Sequence, residues 1–379
     1  MDDDYDNDHD NDHDDDHDDD HDDDHSVIVI VIVIVTPYML FKKFLGIDLG
    51  TDATRVYLKG GGIVVNEPSI VAFNNRTNHV VAVGTEAKKM LSRTPSHITA
   101  LRPLSHGVIA DFDVAKEMLQ RFLKNDRIPW SWVTETIVSV PTNLTEVERK
   151  SVEDLMRETG ASKVHLIEQP LAAAIGSRLE VGEPTAYLIL DIGAGAADMA
   201  IISMNGIVVS KRLKIAGDYL NSEIIRGVRD EQKLAIGEPT AEEIKIAAGS
   251  ALAGGERLEI TVRGRDITSG LPREVGIRDT QVRLWLQRPL KSVVEAVKDL
   301  IEGAPPELVG DIYRNGMYLC GGGSLLRGID QLMQKEIGVG VQVVEDPLNC
   351  VARGTGLACE RLEQYRHLLD NFSVLKLPE

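Results

Sequence analysis

Cysteine is scarce. The 379 residues include three, Cys320, Cys350 and Cys359, an odd number without CxxC spacing. That excludes a disulfide framework and a cysteine zinc site, and fits a reducing cytosol. Long hydrophobic runs are also missing. The longest, Val27–Val35, has nine residues, where a membrane-spanning helix needs roughly 20. The stretch before it is acidic, whereas a secretion signal starts positive, so neither a span nor a leader is expected. Aromatic residues reach only 4 %, but hydrophobic residues total 43 %, so any core is mainly aliphatic and can be large. Positive charge is absent from residues 1–25, which hold sixteen aspartates. They account for all but −3 of the formal charge of −19, and a near-neutral body offers no face for nucleic acid.

What is present begins with two low-complexity blocks. His9, His13, His17, His21 and His25 recur every four residues in a bed of Asp, followed by alternating Val and Ile. An Asp run repels itself and buries nothing, so residues 1–38 are expected to be a disordered tail. Histidines and carboxylates could make it a weak divalent-metal tail, but a solvated segment without a role is the better reading. Met39-Leu40-Phe41-Lys42-Lys43-Phe44 reads like an ordinary start ahead of the first strand.

The body repeats itself. Leu45-Gly46-Ile47-Asp48-Leu49-Gly50-Thr51 leads to a strand around Arg55–Leu58 and then Gly62-Ile63-Val64-Val65. Ile189-Leu190-Asp191-Ile192-Gly193-Ala194 leads to a strand around Asp198–Ile202 and then Gly206-Ile207-Val208-Val209. The same order at nearly equal spacing predicts two homologous α/β halves. Between the repeats, Val114, Met118 and Phe122, with Leu119, mark one helical face. Thr145 and Glu148 have capping-box spacing for a helix over 145–159, flanked by strands at Thr136–Val140 and Lys163–Ile167. Thr240–Ala248 reads as helical, as does a stripe from Leu290 to Ile301 that ends near Gly303.

Each repeat sets an Asp at a strand end beside a glycine turn. Glycines let backbone N–H groups approach an anion, and two such nests facing each other could clamp a phosphate chain. Asp48 and Asp191 would then face a metal, acting through water if it is Mg²⁺. One Asp-x-Gly is a weak signal, an ordinary turn more often than not; its duplication strengthens it. A third cluster, Gly321-Gly322-Gly323, follows the apolar strand Met317–Leu319 and precedes a helical stretch from Leu325. Strand, glycines and helix start suit a nucleotide contact or a tight turn. No lysine follows, so it is not a P-loop.

These three features resemble the superfamily of actin, sugar kinases and heat-shock chaperone ATPases. Within it, Asn66-Glu67-Pro68-Ser69, Gly107-Val108-Ile109-Ala110-Asp111-Phe112-Asp113, Leu171-Ala172-Ala173-Ala174-Ile175-Gly176 and Gly322-Gly323-Ser324-Leu325-Leu326-Arg327-Gly328 are similar to the MreB family of bacterial actin-like proteins, from about Met39 to Glu360. The resemblance implies an actin-like, ribonuclease H-like duplicated α/β fold with a nucleotide cleft. One half would span 39–184 with an insertion at 71–104, the other 185–353 with an insertion at 221–284, and 354–379 would pack back on the first. It implies ATP and Mg²⁺ as ligands, and at most slow ATP hydrolysis coupled to polymerisation. It implies self-assembly into double protofilaments, peripheral on the cytoplasmic face of the inner membrane. Membrane proteins of cell-wall elongation would be partners. The phosphate-binding set carried over is Asp48, Gly50, Thr51, Thr54, Asp191, Gly193, Ala194 and Gly195. Glu242 and Lys245 match ribose or adenine contacts, and Gly321, Gly322 and Gly323 match the adenosine loop. Gln169 occupies the water-orienting position.

The chain departs from that pattern. The first loop reads Thr51-Asp52-Ala53-Thr54 where the family has Thr-Ala-Asn-Thr, and a carboxylate beside phosphate needs a metal or Arg55 to compensate. The second loop carries Ala196 and Ala197 in place of two hydroxyls, and Gln169 replaces a glutamate. A divergent paralogue, even a non-polymerising nucleotide-binding scaffold, fits these changes. A chaperone-type ATPase or sugar kinase is the alternative on the same fold, but no substrate domain or sugar pocket is visible. For membrane contact, Trp130 and Trp132 in a loop, helped by Phe41 and Phe44, are the candidates.

Overall fold

The computed structural model of the chain describes residues 43–77, 79–124, 128, 133–254 and 258–370. The tail, Phe41, Trp130 and Trp132 lie outside the described residues.

The repeat builds two five-stranded sheets with one plan. In the first, Lys43–Leu49, Ala53–Leu58 and Gly62–Pro68 form an antiparallel meander, and Val133–Val140 and Lys163–Glu168 add in parallel on the other side of Lys43–Leu49. In the second, Tyr187–Ile192, Ala197–Ser203 and Gly206–Leu213 form the meander, and Met317–Cys320 and Val341–Val343 add in parallel. The turns between the first two strands of each meander therefore lie at equivalent corners. Register matches as well, Asp48 opposing Arg55 and Asp191 opposing Asp198.

Smaller sheets branch from each half. Val71–Asn74, His79–Val83 and Ile98–Leu101 make one; Leu234–Ala235, Glu259–Asp266 and Pro272–Arg278 make the other. Leu45, Ile47, Val138 and Leu155 lie in one apolar core, and Leu188, Leu190, Ile224 and Val297 in a second. A third core contains residues of both large sheets, Ile137 and Ile189 among them. Its floor is a pair of helices, Gln169–Gly176 and Cys350–Glu360, whose small residues Ala172, Ala173, Ala352 and Gly354 are suited to close packing.

Local chemistry explains two helix starts. Thr145 and Glu148 form the expected reciprocal capping box on Glu146–Glu158, and Asp111 caps Phe112–Leu123 by accepting from the Val114 N–H. Asp279–Glu302 runs eleven residues further toward the N-terminus than the apolar stripe predicts, straight through Pro289. An interior proline costs a helix about 3 kcal/mol. Buried Val282 and Leu286, before Pro289, offset that cost through packing. After Gly321 the expected helix does not begin; a single 3₁₀ turn, Gly322–Leu325, intervenes, and the α-helix starts at Ile329.

Candidate functional site

Both corner turns and the Gly321–Gly323 turn open on one cleft of about 670 Å³, within the range of small-molecule sites. Asp48, Gly50, Thr51, Gln169, Asp191, Gly193, Ala194, Gly195, Glu242, Lys245 and Gly321 to Gly323 all line it.

Asp48 ends its strand 6 % exposed. Its carboxylate accepts from Ser139 Oγ at 3.0 Å and pairs with Arg55 Nη1 at 3.4 Å. Burial nevertheless holds its pKa above the usual carboxylate range, with Arg55 and Ser139 opposing. Asp191 is raised further, by burial first, then by Asp198 across the hairpin and Asp48 across the cleft, with Arg55 opposing. The hairpins thus differ where their plan coincides: Arg55 supports Asp48, whereas Asp198 repels Asp191. Asp198 itself accepts from Thr142 Oγ1 at 3.0 Å and lies 3.8 Å from Arg212 Nη1.

In the second loop the Gly193 carbonyl accepts from Gly217 N at 3.1 Å and the Ala194 carbonyl from Asp218 N at 2.9 Å, the first amides of the helix Gly217–Gln232. The N–H groups of Ala194, Gly195 and Ala196 find no protein acceptor among the described residues. Backbone donors left without protein partners on a cleft wall are open to an external acceptor such as an anion.

The glycine turn needs its glycine. Gly321 has φ +76°, and a Cβ there would overlap an Asp191 carboxylate oxygen. Its N–H donates to the Pro347 carbonyl at 3.0 Å. Opposite, Glu242 accepts from Asn221 Nδ2 and Lys245 Nζ, each at 2.7 Å. Burial would raise the Glu242 pKa, but Lys245 and Asn221 outweigh it and hold the group below its ordinary value.

Four expectations shift. Thr54 is fully buried and turned away from the cleft, its hydroxyl 2.9 Å from that of Ser69. Asp52 is answered by Lys88, 4.0 Å away, and by Arg102, while Arg55 is committed to Asp48 and to Asn349 Oδ1 at 3.0 Å. Ala196 lines the cleft, but Ala197 points into the core of the second half. Phe44 is partly buried against the shared core with Lys59 Nζ 4.8 Å above its ring, so its face is already occupied.

One cleft residue, Arg102, escaped the sequence, and so did the environment of Glu168. Arg102 reaches across the cleft mouth to Glu238 at 2.7 Å. Glu168, the N-cap before Gln169, is pushed to about 7, mainly by burial, with Asp198 adding and Arg149 opposing. No local pattern marks either property, because partners far along the chain create it.

Comparison with known proteins agrees with this architecture. The family model described as "MreB/Mbl protein" matches residues 42–367. The cell shape-determining protein MreB of Escherichia coli K12 is 46 % identical over 334 residues, 86 % of this chain and 96 % of that protein. The cell shape-determining protein Mbl of Bacillus subtilis 168 is 42 % identical over 326 residues, 86 % of this chain and 98 % of that one. Among solved structures, MreB5 of Spiroplasma citri bound to AMPPNP superposes with a TM-score of 0.83 at 36 % identity, covering 86 % and 98 %. A MamK double helical filament shares the fold, with a TM-score of 0.73 at 21 % identity over 84 % of this chain and 99 % of that one. The fold is the expected actin-like one, and the chain belongs to the MreB/Mbl family of actin-like proteins.

Proposed function

We propose that the chain binds ATP with Mg²⁺ in this cleft and assembles with copies of itself into filaments. These would lie peripherally on the inner face of the cell membrane and help determine cell shape by organising wall synthesis with membrane partners. The observation that carries the ligand is the meeting, on one cleft, of two desolvated carboxylates and a row of N–H groups without protein acceptors among the described residues. A hard cation with oxygen ligands fits the first, and a polyanion fits the second. Asp48 and Asp191 would hold Mg²⁺, through its waters, and the metal would supply charge neutralisation. MreB5 of Spiroplasma citri, solved with AMPPNP and with ADP, supports the same ligand class.

The chain's own residues divide the work. The loops at Gly50 and Gly193 orient a phosphate chain, and Glu242, Lys245 and the Gly321 turn take the nucleoside. Gln169 can hydrogen-bond a water but cannot accept its proton. Hydrolysis is therefore expected to be slow, since orienting the attacking water carries most of phosphoryl transfer. Calorimetry with ATP and Mg²⁺ tests binding, and electron microscopy of the full chain with and without them tests assembly. Binding without filaments would replace the filament reading with a nucleotide-binding scaffold; no binding would remove the ligand assignment.

A further inference from the structure

We infer that His106 is a positioning residue for the second loop, supplied from the opposite half of the molecule. Three successive carbonyls of that loop are held. Gly193 and Ala194 are anchored by the amides of Gly217 and Asp218, within the same half. Gly195 is anchored by His106 Nδ1 at 2.6 Å, from the segment that follows Leu104 in the first half. A carbonyl oxygen only accepts, so Nδ1 carries the hydrogen.

A trans peptide is planar, and its N–H points opposite to its C=O. Holding the carbonyls of 193, 194 and 195 therefore aims the N–H groups of 194, 195 and 196, the three without a protein acceptor. The third anchor is the one that depends on the two halves meeting. It also stands where the loop cannot help itself, because Ala196, which lines the cleft, carries no hydroxyl.

The backbone around His106 shows the constraint. His106 has φ +50°, uncommon for a residue with a side chain. Arg212 donates to its carbonyl, and Gly107 N donates to Thr51 Oγ1 at 2.8 Å, which ties the same segment to the first loop. A Cβ on Gly195 would lie 2.9 Å from His106 Cα, so the two backbones are in direct contact. Observed strain of this kind is retained where the surroundings over-determine it and a function uses it.

This inference rests on the nucleotide reading. Its test uses the full chain with His106→Ala, His106→Asn and His106→Gln. Asparagine tolerates positive φ and can place a side-chain N–H near the position of Nδ1; glutamine places it one bond further out. Calorimetry with ATP and Mg²⁺ is expected to show about two- to tenfold weaker binding for His106→Ala, the range of one net hydrogen bond, with His106→Asn close to the parent. Imidazole ¹⁵N resonances of the nucleotide-free parent should show His106 protonated on Nδ1. Thermal unfolding reports whether each variant folds; should alanine fail to fold, Asn binding more tightly than Gln decides the question. The inference is overturned if His106→Ala binds ATP as the parent does, if Asn and Gln are equally weakened, or if Nδ1 carries no proton. If the parent itself binds no ATP, the nucleotide reading has failed, an outcome visible before any variant is compared.

Discussion

Among the described residues, Arg55 opposes the raised pKa of both buried carboxylates, and replacing it with methionine is the sharpest test of the site. Arg55 and Asp48 side chains are only 13 % and 8 % exposed, so solvent screening is weak. At 3.4 Å and an effective dielectric of about 20, their attraction is roughly 5 kcal/mol. Removing one partner of a buried pair typically costs about 3–5 kcal/mol, because the other charge stays desolvated. Methionine keeps much of the volume, so cavity formation adds little. The carboxyls can escape by taking a proton, which sets the pH dependence. Both Asp48 and Asp191 have folded-state pKa values above 3.8, so the folded chain binds more protons than the unfolded one. Their penalty is absent below about pH 3.8 and grows as pH rises through the folded values. Arg55→Met should therefore lose more stability at pH 8 than at pH 5. Because the unmet charge is negative and faces the cleft, millimolar Mg²⁺ should recover part of the loss. Urea unfolding at both pH values, with Mg²⁺ and with EDTA, measures this. A loss below about 1 kcal/mol, or one indifferent to pH and Mg²⁺, would refute the electrostatic reasoning, since surface pairs alone give values that small.

Gln169→Glu combined with Ala196→Thr should speed phosphate release by roughly two decades, the size of one restored positioned group in other enzymes; a parent already as fast would reject the slow-hydrolysis reading. Ala197→Thr should not join them, because this fully buried side chain faces the core and overpacking there costs about 1–3 kcal/mol, which denaturant unfolding would register. Gly321→Ala should abolish ATP binding or folding, since the new methyl would meet Asp191 at a positive φ; calorimetry showing parental affinity would contradict the geometry. Trp130 and Trp132 changed together to serine should reduce co-sedimentation with anionic liposomes, and unchanged sedimentation of the folded variant would remove both from membrane contact.

The sequence by itself determined everything that depends on a few neighbouring residues. The doubled Asp and glycine motif predicted two like halves because a strand end and a tight turn are local events. Thr145 and Glu148 foretold a helix start for the same reason, and the Gly321 cluster announced a turn that no other residue fits. The long helix through Pro289 was legible only from Leu290 onward, because tertiary packing, not local propensity, carries its first half. The facing of individual side chains needed the structure. Thr54 turns to Ser69, and Ala197 turns inward while Ala196 does not, because strand register against distant neighbours decides which side of the sheet each occupies. Asp52 sits beside Lys88 and Arg102, not Arg55, because the small sheet brings them there. The cross-cleft ties of Arg102 to Glu238 and of His106 to Gly195 join residues 136 and 89 positions apart. Charge and hydrogen bonding act through space, so such pairs leave no periodic trace along the chain, and only the folded arrangement of the two halves brings them together.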